Sequence, residues 1–373
     1  MLDDTSVSTL LERVRREVDD GLLPSAQVAV ALDGEVVLEE TYGAPAGSRY
    51  VPFSCTKAII GSVVWQLVGE GAIDLEAPVV EYVPAFGTNG KEAVTVEQVL
   101  MHVGGFPYAP LGPGTWETRE SRHAAFSRWR LTLTPGETFM YHPTAAHWVV
   151  ADIVEEVTGQ PYADALQQRI TDPLGLPRLL AIPHDEQDGI VDAVNVGDLP
   201  TEDEVEEAFG MRLDLSTLIP ADVSAAALLT LNDPDARAVG VPGGGGVVRA
   251  RDLALLYQAF LHDPEGLWDP AALVDATATV RNQLPDMFGV PANRTRGGLV
   301  VRGDDGMGAR RGMGHTASPR TFGHNGAGGQ IAFADPDTGL SFVYLTNGMD
   351  QNMIREHRRT AGIASRAAQL VHP

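Results

Sequence analysis

Apolar positions recur along this chain with two different periods. Residues 6–19 place Leu10, Leu11, Val14 and Val18 at helical spacing, and Gly21 and Pro24 end that run. AQVAVALDGEVVLEETYG then alternates like a hairpin, with Asp33-Gly34 as its turn. The far end mirrors the start: residues 330–334 and 340–346 are two apolar runs about a Pro/Asp/Gly turn, and a helical stretch follows from Met353 to about Leu370. Strands and helices at both ends predict one antiparallel sheet with the terminal helices on one face, an α+β layer.

The middle of the chain has a different texture. Residues 54–70, 95–103, 144–158, 162–170, 222–231 and 251–262 mostly carry the helical period, and Pro/Gly-rich stretches such as 104–114 and 240–246 join them. The pattern predicts a discontinuous chain. Residues 1–60 and 290–373 form the sheet domain, 61–289 form an inserted, mainly helical domain, and the cleft between them is the expected ligand site. The acidic run at 202–207 reads as a solvated face or a loop.

Composition narrows the partners. A net charge of −23 over 373 residues repels phosphate backbones and anionic lipid heads, so neither nucleic acid nor a membrane surface is an expected partner. A single cysteine forms no intrachain disulfide, and no Cys/His spacing suggests zinc. The first twenty residues are acidic and amphipathic rather than basic and then apolar, and no apolar run approaches the ~18 residues of a membrane span. A cytoplasmic location is the expectation.

Lysine usage is the sharpest compositional feature. Of 27 basic residues only Lys57 and Lys91 are lysine, and Lys57 follows Ser54 by three positions. Ser54-Cys55-Thr56-Lys57 opens the apolar run AIIGSVVWQLV, which puts the serine at a helix N-terminus and the lysine one turn on, on the same face. A serine hydroxyl needs a base within hydrogen-bond reach, and a lysine can be that base if partial burial lowers its pKa. The helix N-terminus offers free N–H groups to developing negative charge. The alternative is a surface lysine on a first helical turn, which the helix dipole disfavours.

Further ordered motifs follow: Gly71-Ala72-Ile73-Asp74-Leu75, Pro78-Val79, Tyr82-Val83-Pro84, the run from Thr95 to Pro107, Pro135-Gly136 before Tyr141, and ALQQRITDPLGLP. Together with Ser-x-x-Lys they resemble the serine β-lactamase and penicillin-binding-protein superfamily, in particular its class C-like branch with the family VIII carboxylesterases. The resemblance implies a β-lactamase/transpeptidase-like fold, an acyl-enzyme on Ser54 and no metal or organic cofactor. It implies that Tyr141 shares general-base duty with Lys57, and that the backbone N–H groups of Ser54 and Ala327 form the oxyanion hole. Read without it, Tyr141 is a half-buried aromatic and His324 a loop residue in a Gly-rich turn.

Two departures from the family pattern bear on substrate. Tyr-x-Asn becomes Tyr141-His142-Pro143, which removes the side-chain amide that contacts a β-lactam. Lys-Thr-Gly becomes His324-Asn325-Gly326, and a mostly neutral histidine gives up the attraction for a substrate carboxylate. His324, Asn325, Gly326 and His142 are the expected substrate contacts, with Gly326 allowing close approach of the substrate to its strand. The expected function is a carboxylesterase acting on small esters. A transacylase using the same residues, a β-lactamase or D-amino-acid peptidase, and a non-catalytic binding protein are the alternatives. The oligomeric state is not legible.

Other residues carry no chemistry in this reading. Cys55 points about 100° away from Ser54 and is expected to pack. His102 is expected to satisfy backbone groups. Gly243–Gly246 lacks the Gly-Lys-Ser/Thr of a phosphate loop, and no Gly-x-Ser-x-Gly elbow is present. The Trp and Tyr residues between 108 and 148 are either the wall of an acyl pocket or ordinary loop packing.

Overall fold

The computed structural model describes residues 2–210 and 224–371. Ten strands are present among them: β1 Ala26–Leu32, β2 Glu35–Tyr42, β3 Val194–Val196, β4 Val280–Asn282, β5 Arg294–Thr295, β6 Val300–Val301, β7 Phe322–Gly326, β8 Gln330–Asp335, β9 Leu340–Thr346 and β10 Gly348–Asp350. Eight form one sheet in the order β2-β1-β9-β8-β7-β6-β5-β4, while β10 and β3 pair separately. Every neighbour in the large sheet is antiparallel, and β10–β3 is parallel. The β1–β2 turn has positive φ at both central residues, Asp33 (51°) and Gly34 (81°), as the Asp-Gly pair predicts.

Strand alternation sorts the side chains into two cores. Val28 and Val30 of β1 face the terminal helices Asp4–Asp19 and Met353–Ala367, packing with Leu10, Val14, Phe342 and Ile363. Ala29 and Ala31 face the other way, into the larger core with Val343, Leu253 and Ala254. The two termini are also joined by charge. Arg359 is buried and bonds both Glu17 (3.0 Å) and Asp350.

The helical middle is present as helices Thr56–Gly69, Val96–Leu100, Ala145–Thr158, Tyr162–Leu166, Ala225–Leu229 and Ala250–His262. Residues 222 and 223 of one expected helix lie outside the described residues. The run expected over 162–170 breaks at Leu166 into a π-helical turn, Gln167–Thr171. The acidic run forms a helix, Glu202–Phe209, started by a Thr201/Glu204 capping box. Two pieces assigned by sequence to the helical region lie instead with the sheet. Helix Ala250–His262 packs on β1, β8 and β9, and β4 is the sheet's edge strand. Among the described residues no helix is long and apolar enough to cross a membrane.

Candidate active site

Ser54 sits in a 3₁₀ turn, Phe53–Cys55, that runs directly into helix Thr56–Gly69. Phe53, just before it, is buried at φ +44°, a left-handed conformation that costs a bulky residue on the order of 1–3 kcal/mol. Two contacts hold this strained turn. The Cys55 thiol donates to the carbonyl of His324 on β7 (3.1 Å), so Cys55 is packed as its helical position predicts, and burial pushes its pKa up. A Cβ on Gly326 would fall 2.2 Å from the carbonyl oxygen of Pro52. Gly326 therefore admits the Ser54 turn against β7.

Lys57 is buried, and three acceptors surround its Nζ: Pro143 O at 2.7 Å, Gly243 O at 2.6 Å and Ser54 Oγ at 3.2 Å. Burial lowers its pKa and neighbouring Arg294 lowers it further, while Tyr141 opposes the shift. A neutral amine in this cage gives its two N–H bonds to the two carbonyls and turns its lone pair on Ser54 Oγ. Tyr141 Oη donates to the same oxygen from 2.9 Å. Pro143 thus serves through its carbonyl. Gly243, set aside in the sequence, joins this cage: a Cβ there would meet Pro143 O at 2.8 Å, so glycine lets the two carbonyls converge on one amine. The glycine run was its signal, since such runs mark close backbone approach.

His324 and His142 are corrections. Both were expected to touch substrate, and both are buried with each ring nitrogen occupied. His142 Nδ1 lies 2.5 Å from Met140 O, and its Nε2 accepts from Phe106 N–H. His324 Nδ1 lies 2.6 Å from Asn325 O, and its Nε2 faces Arg294 Nη1 at 3.1 Å. Because a guanidinium only donates, the pair fixes His324 as the neutral Nδ1–H tautomer. Burial, reinforced by Arg294 and Lys57, holds its pKa well below the usual histidine value. Asn325 alternates outward and sits over Gly312. His102 does satisfy backbone, its Nδ1 accepting from His142 N–H.

A cation not singled out in the sequence, Arg294 on β5, lies behind Tyr141 and His324. It is buried, and its guanidinium carbon lies 5.3 Å from the centre of the Tyr141 ring, with Lys57 Nζ at 5.1 Å from the same centre. Burial lowers its pKa to about 10. Nothing local distinguished this arginine from the others; thirty residues separate it from His324, and only the sheet register joins them.

In front of Ser54 lies a pocket of 170 Å³. Ala327 lines it with Ser54, and Leu111, Trp116, Leu228, Leu231 and Val241 supply apolar walls; among the described residues no charged side chain lines it. Of the aromatics weighed in the sequence, Trp116 does wall the pocket. Ser54 N–H, in a first helical turn, has no acceptor within the helix, which suits an anion at the pocket mouth. Among the described residues no three His, Cys, Asp or Glu side chains are grouped to hold a metal ion.

Known proteins resemble this chain over most of its length. The chain is 26% identical over 369 residues to the Mycobacterium tuberculosis esterase/beta-lactamase LipL, covering 86% of this chain and 76% of LipL. A penicillin-binding-protein homologue from Caulobacter crescentus superposes with a TM-score of 0.77 at 26% identity, covering 98% of this chain and 99% of that one. EstA from Arthrobacter nitroguajacolicus Rue61a shares the fold, with a TM-score of 0.77 at 24% identity over 99% of this chain and 98% of EstA. The profile of the Beta-lactamase family matches residues 11–365, nearly the whole chain: this protein belongs to that family and is an enzyme of its serine-hydrolase superfamily.

Proposed function

We propose that this enzyme is a carboxylesterase that cleaves small esters through an acyl-enzyme on Ser54. The observation that carries this reading is Ser54 Oγ held between Lys57 Nζ (3.2 Å) and Tyr141 Oη (2.9 Å) at the head of a pocket with no charged side chain among its described walls. Neutral Lys57 takes the Ser54 proton as Oγ bonds to the ester carbonyl carbon. The tetrahedral oxyanion rests on the N–H groups of Ser54 and Ala327. Tyr141 gives its proton to the departing alkoxide and is reprotonated from Lys57. Water then attacks the acyl-enzyme with the same two residues as base.

The ester preference has a physical basis in the pocket. A penicillin, cephalosporin or peptide presents a carboxylate, and among the described residues neither His324 nor any residue lining the pocket offers it a free cation. Pro143 brings no side-chain amide. An ester also needs less help than an amide, because an alkoxide leaves more readily than an amine anion.

A phosphonate probe followed by peptide mapping is expected to modify Ser54 alone. Aryl esters with short acyl groups are expected to turn over with kcat/KM at least ~10²-fold above a chromogenic cephalosporin, a difference of about 2.7 kcal/mol in transition-state stabilisation. Labelling elsewhere, or full turnover by Ser54→Ala, overturns the mechanism. Equal efficiency on the two substrates moves the β-lactamase reading to first place.

A further inference from the structure

The pocket before Ser54 is not closed by the protein's bulk on every side. It backs onto a second cavity of 1240 Å³, and Pro113, Trp116 and Thr230 line both. Pro113 and Thr230 are exposed edges of this boundary, whereas Trp116 is buried within it. The indole is held from behind. Its ring leans on Trp148 with centroids 6.0 Å apart, and the Trp116 carbonyl accepts from Arg122 Nη1 (3.3 Å). Arg122 is itself tied to the buried Asp152 at 3.1 Å. A side chain braced this way forms a fixed wall rather than a mobile flap.

We propose that Trp116 is the residue that limits acyl-chain length, as a partition between the pocket at Ser54 and the larger cavity. This rests on the esterase reading above. At ~30 Å³ per atom, the figure for a water in the liquid, 170 Å³ accepts an acyl group of about six non-hydrogen atoms. A longer linear chain meets the indole. Behind the wall the cavity is wide enough for such a chain, and both its Arg122 and Arg178 guanidiniums are paired, with Asp152 at 3.1 Å and with Asp164 at 2.8 Å. Ala163, Leu229, Ala236 and Val239 give an apolar tail somewhere to lie. With the indole gone, pocket and cavity become one elongated site.

The test is a series of p-nitrophenyl esters from acetate to decanoate, run on the full chain, with Trp116→Ala, Trp116→Leu and Trp116→Phe beside the native protein. Native kcat/KM is expected to fall by ~10-fold or more between hexanoate and decanoate, within the range a few excluded methylenes command. Trp116→Ala is expected to raise the decanoate-to-butyrate ratio by at least ~10-fold. Trp116→Leu does the same more weakly and serves if the alanine variant does not fold. Trp116→Phe, which keeps an aromatic wall, retains the native cut-off. A native profile flat to decanoate, or an unmoved ratio in a folded alanine or leucine variant, overturns the partition while leaving the esterase reading intact. Absence of ester turnover in every protein, together with no phosphonate labelling of Ser54, overturns the esterase reading and the partition with it.

Discussion

Lys57 and Lys91 occupy cages of the same composition: two carbonyl oxygens, one hydroxyl and one aromatic ring. Lys91 Nζ lies 2.6 Å from Thr88 O, 2.7 Å from Trp129 O and 3.2 Å from Thr88 Oγ1, with the Phe86 ring centre at 5.3 Å. Lys57 has Pro143 O, Gly243 O, Ser54 Oγ and the Tyr141 ring in the corresponding places. Both lysines are buried, and burial lowers both pKa values. The shared cage explains why lysine persists in an arginine-rich chain. A compact terminal nitrogen meets three polar partners around one point, which a planar guanidinium cannot do. The difference is in the hydroxyl. Thr88 belongs to the same turn as Lys91 and donates to Ser127 O at 2.9 Å, so Lys91 clamps a loop. Ser54 fronts an apolar pocket and receives a second proton-carrying group, Tyr141. A depressed lysine pKa is therefore not itself a sign of catalysis; what the lysine faces decides.

Exchanging the two lysines for arginine is the strongest way to break this comparison. Lys57→Arg keeps the charge but cannot deprotonate at working pH, so kcat/KM is expected to fall ~10²–10⁴-fold, nearly as far as in Lys57→Ala. Lys91→Arg is expected to leave kcat within a few-fold in whatever fraction folds. Substantial ester turnover by Lys57→Arg would make Lys57 an electrostatic stabiliser instead of a base.

The surroundings of the two cages also differ in how they respond to acid. His102, His142 and His147 are buried near Lys57, and burial holds all three pKa values below the usual histidine value, that of His142 at about 4. With His324 they bind fewer protons in the folded state than in the unfolded one. Stability is thus whole above the unfolded histidine pKa of ~6.5 and declines as pH falls below it, by roughly 3 kcal/mol for His142 alone on reaching pH 4. Denaturant melts at pH 7, 6, 5 and 4 check this. His142→Gln should flatten the slope between pH 6.5 and 4, and an unchanged slope would mean His142 is not held neutral.

Removing the clamp lysine should cost stability and not chemistry. Lys91→Met removes one of two donors from each of Thr88 O and Trp129 O, which keep the Lys91 N–H (3.2 Å) and Asn89 Nδ2 (3.0 Å), a loss of ~0.5–1.5 kcal/mol in chemical denaturation, with kcat/KM of the folded protein near native. A large drop in kcat at unchanged KM would give Lys91 a part in the site. The smallest effect concerns Gly243. Gly243→Ala sets a methyl against Pro143 O and spreads the Lys57 cage, for a loss in kcat on the order of 10-fold with little change in melting temperature. Native kcat in that variant would mean the cage tolerates displacement.

How far the sequence could be read follows from the range over which each feature is encoded. The terminal hairpins, the flanking helices and the start of the Ser54 helix are written in periods of two and 3.6 residues and in a single Asp-Gly turn, so they were legible. Ser54 and Lys57 are one helical turn apart, and their pairing needs no tertiary contact. Tyr141 stands 87 residues from Ser54, and the ordered family motifs were what pointed to it. The short strands β4 to β6 left no readable period, because two or three residues cannot show one. Gly243 O reaches Lys57 across 186 positions, and Arg294 reaches His324 only through the register of β5, β6 and β7. Such contacts depend on where the chain returns, which no local pattern records. The same reason accounts for the misread histidines. His324 stands where a substrate-binding lysine is expected, but strand alternation and a buried guanidinium turn it into the protein. Sequence alone thus determined the Ser54–Lys57 pair, its helix and the α+β frame. Tertiary packing decided which cations surround Tyr141, which carbonyls hold Lys57 and which residues wall the pocket before Ser54, because each of these is a meeting of segments far apart in the chain.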